Sequence, residues 1–262
     1  MFLLKAATLA GDPGNLPGVP SRELTFLDTL LWVALPYVSI VVIVVGLVWR
    51  FKTDQYGWTS RSSNWNESAI LRWSSPMFHF GILGVALGHV GGLFVPREVT
   101  EALGITEHMY HTGAVVGGGI AGLVTIIGLL GLIYRRVVVK SVRLATSPMD
   151  IVTYVLMCIP IFLGAYATLV HQVLGGEHGY DYRSTISVWF RSILLLQPAP
   201  EYMIDVPLSF QLHVVAGMLL FCLWPFTRLV HVVSAPVGYL TRPHVVYRSR
   251  DERKAVHRPR GW

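Results

Sequence analysis

Charge is scarce in this chain, and cysteine scarcer still. Only 14% of its 262 residues are Asp, Glu, Lys or Arg, against 53% apolar, and the mean hydropathy is +0.52. Soluble domains carry about 25% charged residues, so this composition excludes an ordinary water-exposed globule. The two cysteines, Cys158 and Cys222, each sit in the middle of an apolar run. That excludes a disulfide framework, a thiolate-ligated cluster and a c-type haem, which needs Cys-x-x-Cys-His. Both read as small apolar core residues. Carboxylates are absent from the middle of every apolar run, which argues against a proton relay built from intramembrane acids.

What the sequence has instead is hydrophobic length. Five runs, near 27–49, 77–95, 112–134, 150–171 and 208–230, are each long enough to cross ~30 Å of hydrocarbon. The expected fold is all-α and integral to the membrane, a five-transmembrane-helix bundle. Residues 1–24, with a short apolar start followed by Pro and Gly, read as an extracytoplasmic tail. The helical domain is expected over 25–241, and a basic cytoplasmic tail over 242–262.

The net charge of +6 does not indicate nucleic acid, because the basic residues are sorted by loop. One side collects Arg50, Lys52, Arg61, Arg72, Arg135, Arg136, Lys140, Arg143, Arg228 and the tail's Arg242, Arg248, Arg250, Arg253, Lys254, Arg258 and Arg260. The other has Lys5, Arg22, Arg97, Arg183 and Arg191. The positive-inside rule then puts the N-terminus outside and the C-terminus in the cytoplasm. The basic tail also suits anionic membrane lipid.

Histidine is the residue that needs explaining, because an imidazole inside a bilayer is costly. The second run holds His79 and His89; the fifth holds His213 near its start, with His231 just past its end. On a helical wheel Gly81, Gly84, Gly88 and Gly91 form one stripe, smooth enough for another helix to approach. The two histidines lie about 80° apart on the opposite face. The first run, with Pro36, reads as a lipid-facing anchor. The third has Gly113, Gly117, Gly118, Gly119 and Gly122 at its outer end, expected to serve close helix packing, with His108 and His111 just before it. In the long outer loop 172–207, Ser187–Leu196 is expected to lie flat at the interface, either as a cap over a quinone-sized pocket or as ordinary packing.

The second and fifth runs cross in opposite directions. His79 therefore falls at the depth of His231, and His89 at that of His213. Each depth offers two imidazoles from two helices, as bis-imidazole ligation of haem requires. The offsets disagree: ten residues give about 15 Å on one helix and eighteen about 27 Å on the other. Tilt and a kink at Pro225 are expected to absorb the difference. Zinc wants four ligands in one tetrahedral site, which two separated pairs fit badly. Two stacked b-type haems remain. Arg228, Arg135 and Arg136 are candidates for the inner haem's propionates, beside an anchoring role.

The stretches FHFGILGVALGHVGGLFVP, FQLHVVAGMLLFCLWPFTRLVH and SAPVGYLTRP resemble the gamma subunit of respiratory nitrate reductase, a membrane dihaem cytochrome b. The likeness covers all five runs in order. It implies His79 and His231 as ligands of the proximal haem b and His89 and His213 as ligands of the distal one. It further implies oxidation of menaquinol or ubiquinol in a pocket bordered by Gly88 and His89, with protons released outside. Electrons would pass to an iron–sulfur beta subunit and a molybdenum alpha subunit that reduces nitrate, in the bacterial cytoplasmic (inner) membrane. The family can carry a lysine before the third span. Here the segment reads Glu107-His108-Met109-Tyr110-His111, so either His108 or His111 replaces the lysine or the quinol is held differently. A related dihaem subunit of a sulfite- or heterodisulfide-type complex is the alternative, and a non-redox anchor or transporter with structural histidines the more distant one.

Overall fold

The computed structural model describes residues 20–60, 62–175, 179–234, 241 and 243, and among these there is no strand. The tails expected over 1–24 and 242–262 lie outside the described residues, apart from residues 20–24 and 243. Among the described residues five helices are long and apolar enough to cross a membrane. They are α1 Phe26–Thr53, α2 Ala69–Phe94, α3 Glu107–Val138, α4 Pro148–Val173 and α5, Leu208–Leu223 with a 3-10 turn to Phe226. We call the end that carries His79 and His231 inner, following the distribution of basic residues.

Local chemistry sets the helix starts. Thr25 with Asp28, and Ser147 with Asp150, form capping boxes that occupy the free N–H groups of α1 and α4. Thr106 caps α3 through the Met109 amide. In α1 a π-helical turn, Leu30–Ala34, precedes Pro36, which has no N–H to offer the Trp32 carbonyl. That carbonyl instead accepts the Trp189 indole N–H at 2.8 Å.

Helix α2 packs along α3, and α5 packs against both α4 and α1. No seam of comparable extent joins α2 to α5 among the described residues, so the two groups of helices leave a slot between them. The α2–α3 contact is closest at the inner half. A β-carbon on Gly81 would lie 2.6 Å from the Thr125 nitrogen and hydroxyl, and Gly128 backs directly onto the Phe78 backbone. The contact continues outward at Gly84, whose β-carbon would lie 3.1 Å from that of Ala121, and at Gly92, beside the Tyr110 hydroxyl. At Gly88 and Gly91 no neighbour lies within 4 Å of where a β-carbon would stand, and the same holds at Gly113, Gly117, Gly118, Gly119 and Gly122. Close packing was the expected role of that outer glycine cluster. Those five positions have no close neighbour, and the tight approach on this helix falls at Gly128 and Gly131.

Two further expectations are corrected. The first helix is more than a lipid anchor: Ser39, Gly46 and Arg50 are buried along one face against α5. The run 208–230 is also not one helix. It stops at Leu223, turns through Trp224–Phe226, passes an extended Thr227 (φ −109°, ψ 179°) and resumes as a 3-10 segment over Arg228–Ser234.

Among the described residues the buried apolar cluster lies at the outer end. Helix Ile186–Leu194 buries Ile186, Trp189 and Ile193 with Trp32, Met203, Val206 and Met218. It is tied to both flanking helices: Ser187 donates to the Gly92 carbonyl, Arg191 to that of Leu93, and Tyr37 of α1 to that of Ile193. Elsewhere large apolar side chains such as Val45, Leu87, Ile120 and Phe162 point outward, as lipid contact demands.

Candidate functional site

Two pairs of imidazoles meet across the slot. The ring centroids of His79 and His231 are 6.2 Å apart, and those of His89 and His213 are 5.9 Å apart. These are the pairs that depth predicts. The break after Leu223 removes the offset problem, because His231 does not ride on a straight helix five turns below His213.

In every one of the four rings Nδ1 faces a backbone carbonyl. The partners are Ser75 (2.7 Å) for His79, Val85 (2.8 Å) for His89, Pro160 (2.8 Å) for His213 and Arg228 (2.6 Å) for His231. A carbonyl oxygen only accepts, so each Nδ1 is the donor in its bond, which leaves Nε2 as the ring nitrogen available to a metal. Metal-binding histidines are commonly fixed in this way. Two imidazoles on opposite sides of one metal, with bonds of about 2 Å, have ring centres roughly 6 Å apart. Both pairs match that spacing, and each draws one residue from α2 and one from α5 or the segment that follows it. The residues present therefore fit two haems with bis-imidazole ligation. Among the described residues no three His, Cys, Asp or Glu gather into a single metal site.

Other residues set the rings. His213 reaches Pro160 across the α4–α5 seam because Gly164 has no side chain; a β-carbon there would lie 2.8 Å from the ring's Cε1. Asp150, 5% exposed, pairs with Arg136 (3.5 Å) and Arg228 (3.2 Å), which also donates to the Ser60 carbonyl. Arg228 thus touches the site twice, through this carboxylate and through its own carbonyl on His231. Arg135 is spent differently: it donates to Glu67, the Ser63 hydroxyl and the carbonyls of both residues, locking the 62–68 loop.

At the outer end His111 Nε2 stands 3.1 Å from Gln172 Oε1, and the Gln172 amide donates to the Tyr180 carbonyl. His108 is exposed. Gly88 is also exposed, one residue before His89. Nearby, Arg183 lies 3.9 Å over the Tyr110 ring and pairs with Glu107, while Arg97 pairs with Glu107 and Asp181. The Tyr110 and Tyr182 hydroxyls are hydrogen bonded, and burial together with this bond keeps Tyr182 a neutral phenol.

Sequence reasoning passed over Asp150, Gly164, Gln172 and Arg50. Ser147-Pro-Met-Asp150 is legible as a capping box, but its two arginine partners depend on which elements become neighbours. Gly164 stands one turn after Pro160 with no repeat to mark it.

Residues 28–250 match the family model described as nitrate reductase gamma subunit. Over 234 residues the chain is 49% identical to the nitrate reductase-like protein NarX of Mycobacterium tuberculosis, a match covering 89% of this chain and 36% of that longer protein. It is 44% identical over 222 residues to the nitrate reductase gamma chain of Bacillus subtilis, covering 85% of this chain and 98% of the relative. With the respiratory nitrate reductase 2 gamma chain of Escherichia coli it shares 34% over 227 residues, covering 86% and 98%.

Proposed function

The chain belongs to the nitrate reductase gamma subunit family, and on that premise we propose that it is the quinol-oxidising cytochrome b of a respiratory nitrate reductase. His79 and His231 hold the proximal haem b at the inner end; His89 and His213 hold the distal haem b nearer the outer end. When bound, the two haems supply one-electron transfer across the membrane. The chain's own residues fix the ligation. Each Nδ1–carbonyl bond sets ring orientation and raises the basicity of Nε2. Arg228 and Arg136 supply positive charge at the inner end for the propionates, and the Arg228 backbone carbonyl accepts from His231, whereas Arg135 is committed to Glu67 and Ser63.

Gly88 and His89 border the pocket for menaquinol or ubiquinol, with His108 and His111 at its outer rim. Quinol gives up two electrons and two protons there, and the pocket's position sends the protons outward. The electrons leave at the inner end for an iron–sulfur beta subunit and a molybdenum alpha subunit, where nitrate is reduced. The sorting of basic residues supports an N-terminus outside and a C-terminus in the cytoplasm, and five apolar helices with the family match support a cytoplasmic (inner) membrane location.

The observation that carries this reading is the two imidazole pairs, each at the ring spacing of haem ligation and each ring with Nδ1 set against a backbone carbonyl. The test is haem quantitation and a reduced-minus-oxidised spectrum on the purified complex, wild type and His89→Ala. Two b haems per chain, falling to about one in the variant with quinol oxidation lost, is the expected result. A folded wild-type chain without haem would sink the proposal. Co-purification with sulfite- or heterodisulfide-type subunits would redirect the electrons to another partner.

A further inference from the structure

Three of the four histidines stand within long continuous helices, but His231 does not. It follows a break in the chain, and the break itself is held from α1. Pro225 has no N–H to continue α5, and the carbonyls of Pro225 and Thr227 are turned out of any helical ladder. Both residues are buried. The Arg50 guanidinium takes up both carbonyls: Nη1 donates to Pro225 at 2.6 Å and to Thr227 at 2.8 Å, while Nη2 donates to Gly57 at 3.1 Å. Arg50 is 7% exposed, with Asp54 3.6 Å from its Nε.

One turn earlier on the same face, Gly46 receives the proline ring itself. A β-carbon at Gly46 would lie 2.8 Å from Cβ and Cγ of Pro225. The break is therefore pinned to α1 at two points, and the next residue, Arg228, offers the carbonyl that orients His231. A planar fork with several donors can hold two carbonyls and a third loop carbonyl together; an ammonium on a flexible stem cannot do so in the same geometry.

We propose that Arg50 is the positioning residue for His231, fixing the inner imidazole opposite His79 by clamping the Pro225–Thr227 break. The proposal rests on the reading of His231 as the proximal haem ligand. Loss of the clamp frees the 3-10 segment to move, so the inner haem site loosens while the outer one, carried on intact helices, stays as it is.

The test compares Arg50→Met and Arg50→Lys in membranes holding the full chain, with Arg72→Met as a control for charge on the same side. His79→Ala and His89→Ala provide reference spectra that assign each haem. In Arg50→Met, haem per chain is expected to fall from two to about one, with the outer haem's low-spin signal and midpoint potential unchanged. Arg50→Lys is expected to retain two haems but with an altered low-spin signal and a shifted potential for the inner haem alone. Unchanged spectra and potentials for both haems in both variants would overturn the clamp. Equal loss of both haems, or loss of the chain itself, in both variants would also overturn it, because Arg50 would then hold the bundle and not the ligand. A wild type with no haem is a different result, and counts against the proposed function.

Discussion

A β-carbon on Gly164 of α4 would stand 2.8 Å from Cε1 and 3.0 Å from Nδ1 of His213 on α5. The outer imidazole thus lies against a neighbouring helix backbone, and only there does its Nδ1 reach the Pro160 carbonyl. Gly164→Ala favours the helix by about 1 kcal/mol on propensity alone, so α4 itself survives the change. The methyl group pushes the ring off its carbonyl. The expected outcome is a chain present at the wild-type level with outer haem occupancy reduced by half or more and the inner haem intact. Haem quantitation with a potentiometric titration reads both; two unaltered waves would show that the contact is dispensable.

At the inner end Asp150 is a buried carboxylate between two arginines, and it also closes the Ser147 capping box. Asp150→Asn keeps part of the cap but leaves Arg136 and Arg228 without their counter-charge. Breaking a buried pair by removing one partner costs about 3 kcal/mol. The variant should therefore denature at lower temperature in detergent than Arg136→Lys, which keeps the charge balance. Removing a negative charge near His231 also favours the reduced iron, so the inner haem's potential should rise. A redox titration showing a fall would contradict the placement of this carboxylate.

Much of the bundle was legible because membrane helices announce themselves by length, and antiparallel crossing fixes which histidines share a depth. The 15 Å against 27 Å mismatch was legible too, but it reads as tilt and a kink at Pro225, where the chain in fact breaks between Leu223 and Arg228. What stayed hidden depends on neighbours. Arg50 reads as one more inside-positive charge until α5 is known to end beside it. The glycines from Gly113 to Gly122 read as a packing surface, yet no neighbour comes within 4 Å of their β-carbon positions, and the tight approach of α2 falls at Gly128. Pro36 predicts a free carbonyl on Trp32, but no local pattern says that Trp189 fills it.

The 62–68 loop has a pH dependence of its own. Burial pushes the Glu67 carboxyl up, but the Ile70 amide and the Arg135 guanidinium outweigh it, and the net shift is below the ordinary 4.5. A carboxylate with a lowered folded pKa contributes stability that is present above 4.5 and is lost as pH falls through the folded value. Amide exchange in residues 62–68, corrected for intrinsic rate, should stay slow at neutral pH and quicken only below that range. Glu67→Gln should exchange fast at every pH. A loop that loosens instead on going to alkaline pH would refute the assignment.

Gly88 offers the cleanest separation of ligand from scaffold. It sits one residue before His89, and beyond its own helix turn nothing lies within 4 Å of the position a β-carbon would take. Within the chain, Gly88→Ala is therefore free of steric cost and gains about 1 kcal/mol of helix propensity. Any functional loss must come from something that occupies the space beside it. If quinol binds there, the methyl group narrows its pocket: KM for quinol should rise several-fold, while haem content, both potentials and dithionite-driven nitrate reduction stay at wild-type values. Gly91, equally open, is the comparison. Gly91→Ala with the same rise in KM would place the pocket along the whole outer groove of α2. A normal KM in Gly88→Ala would put quinol elsewhere, and His111 with Gln172 would become the next place to look.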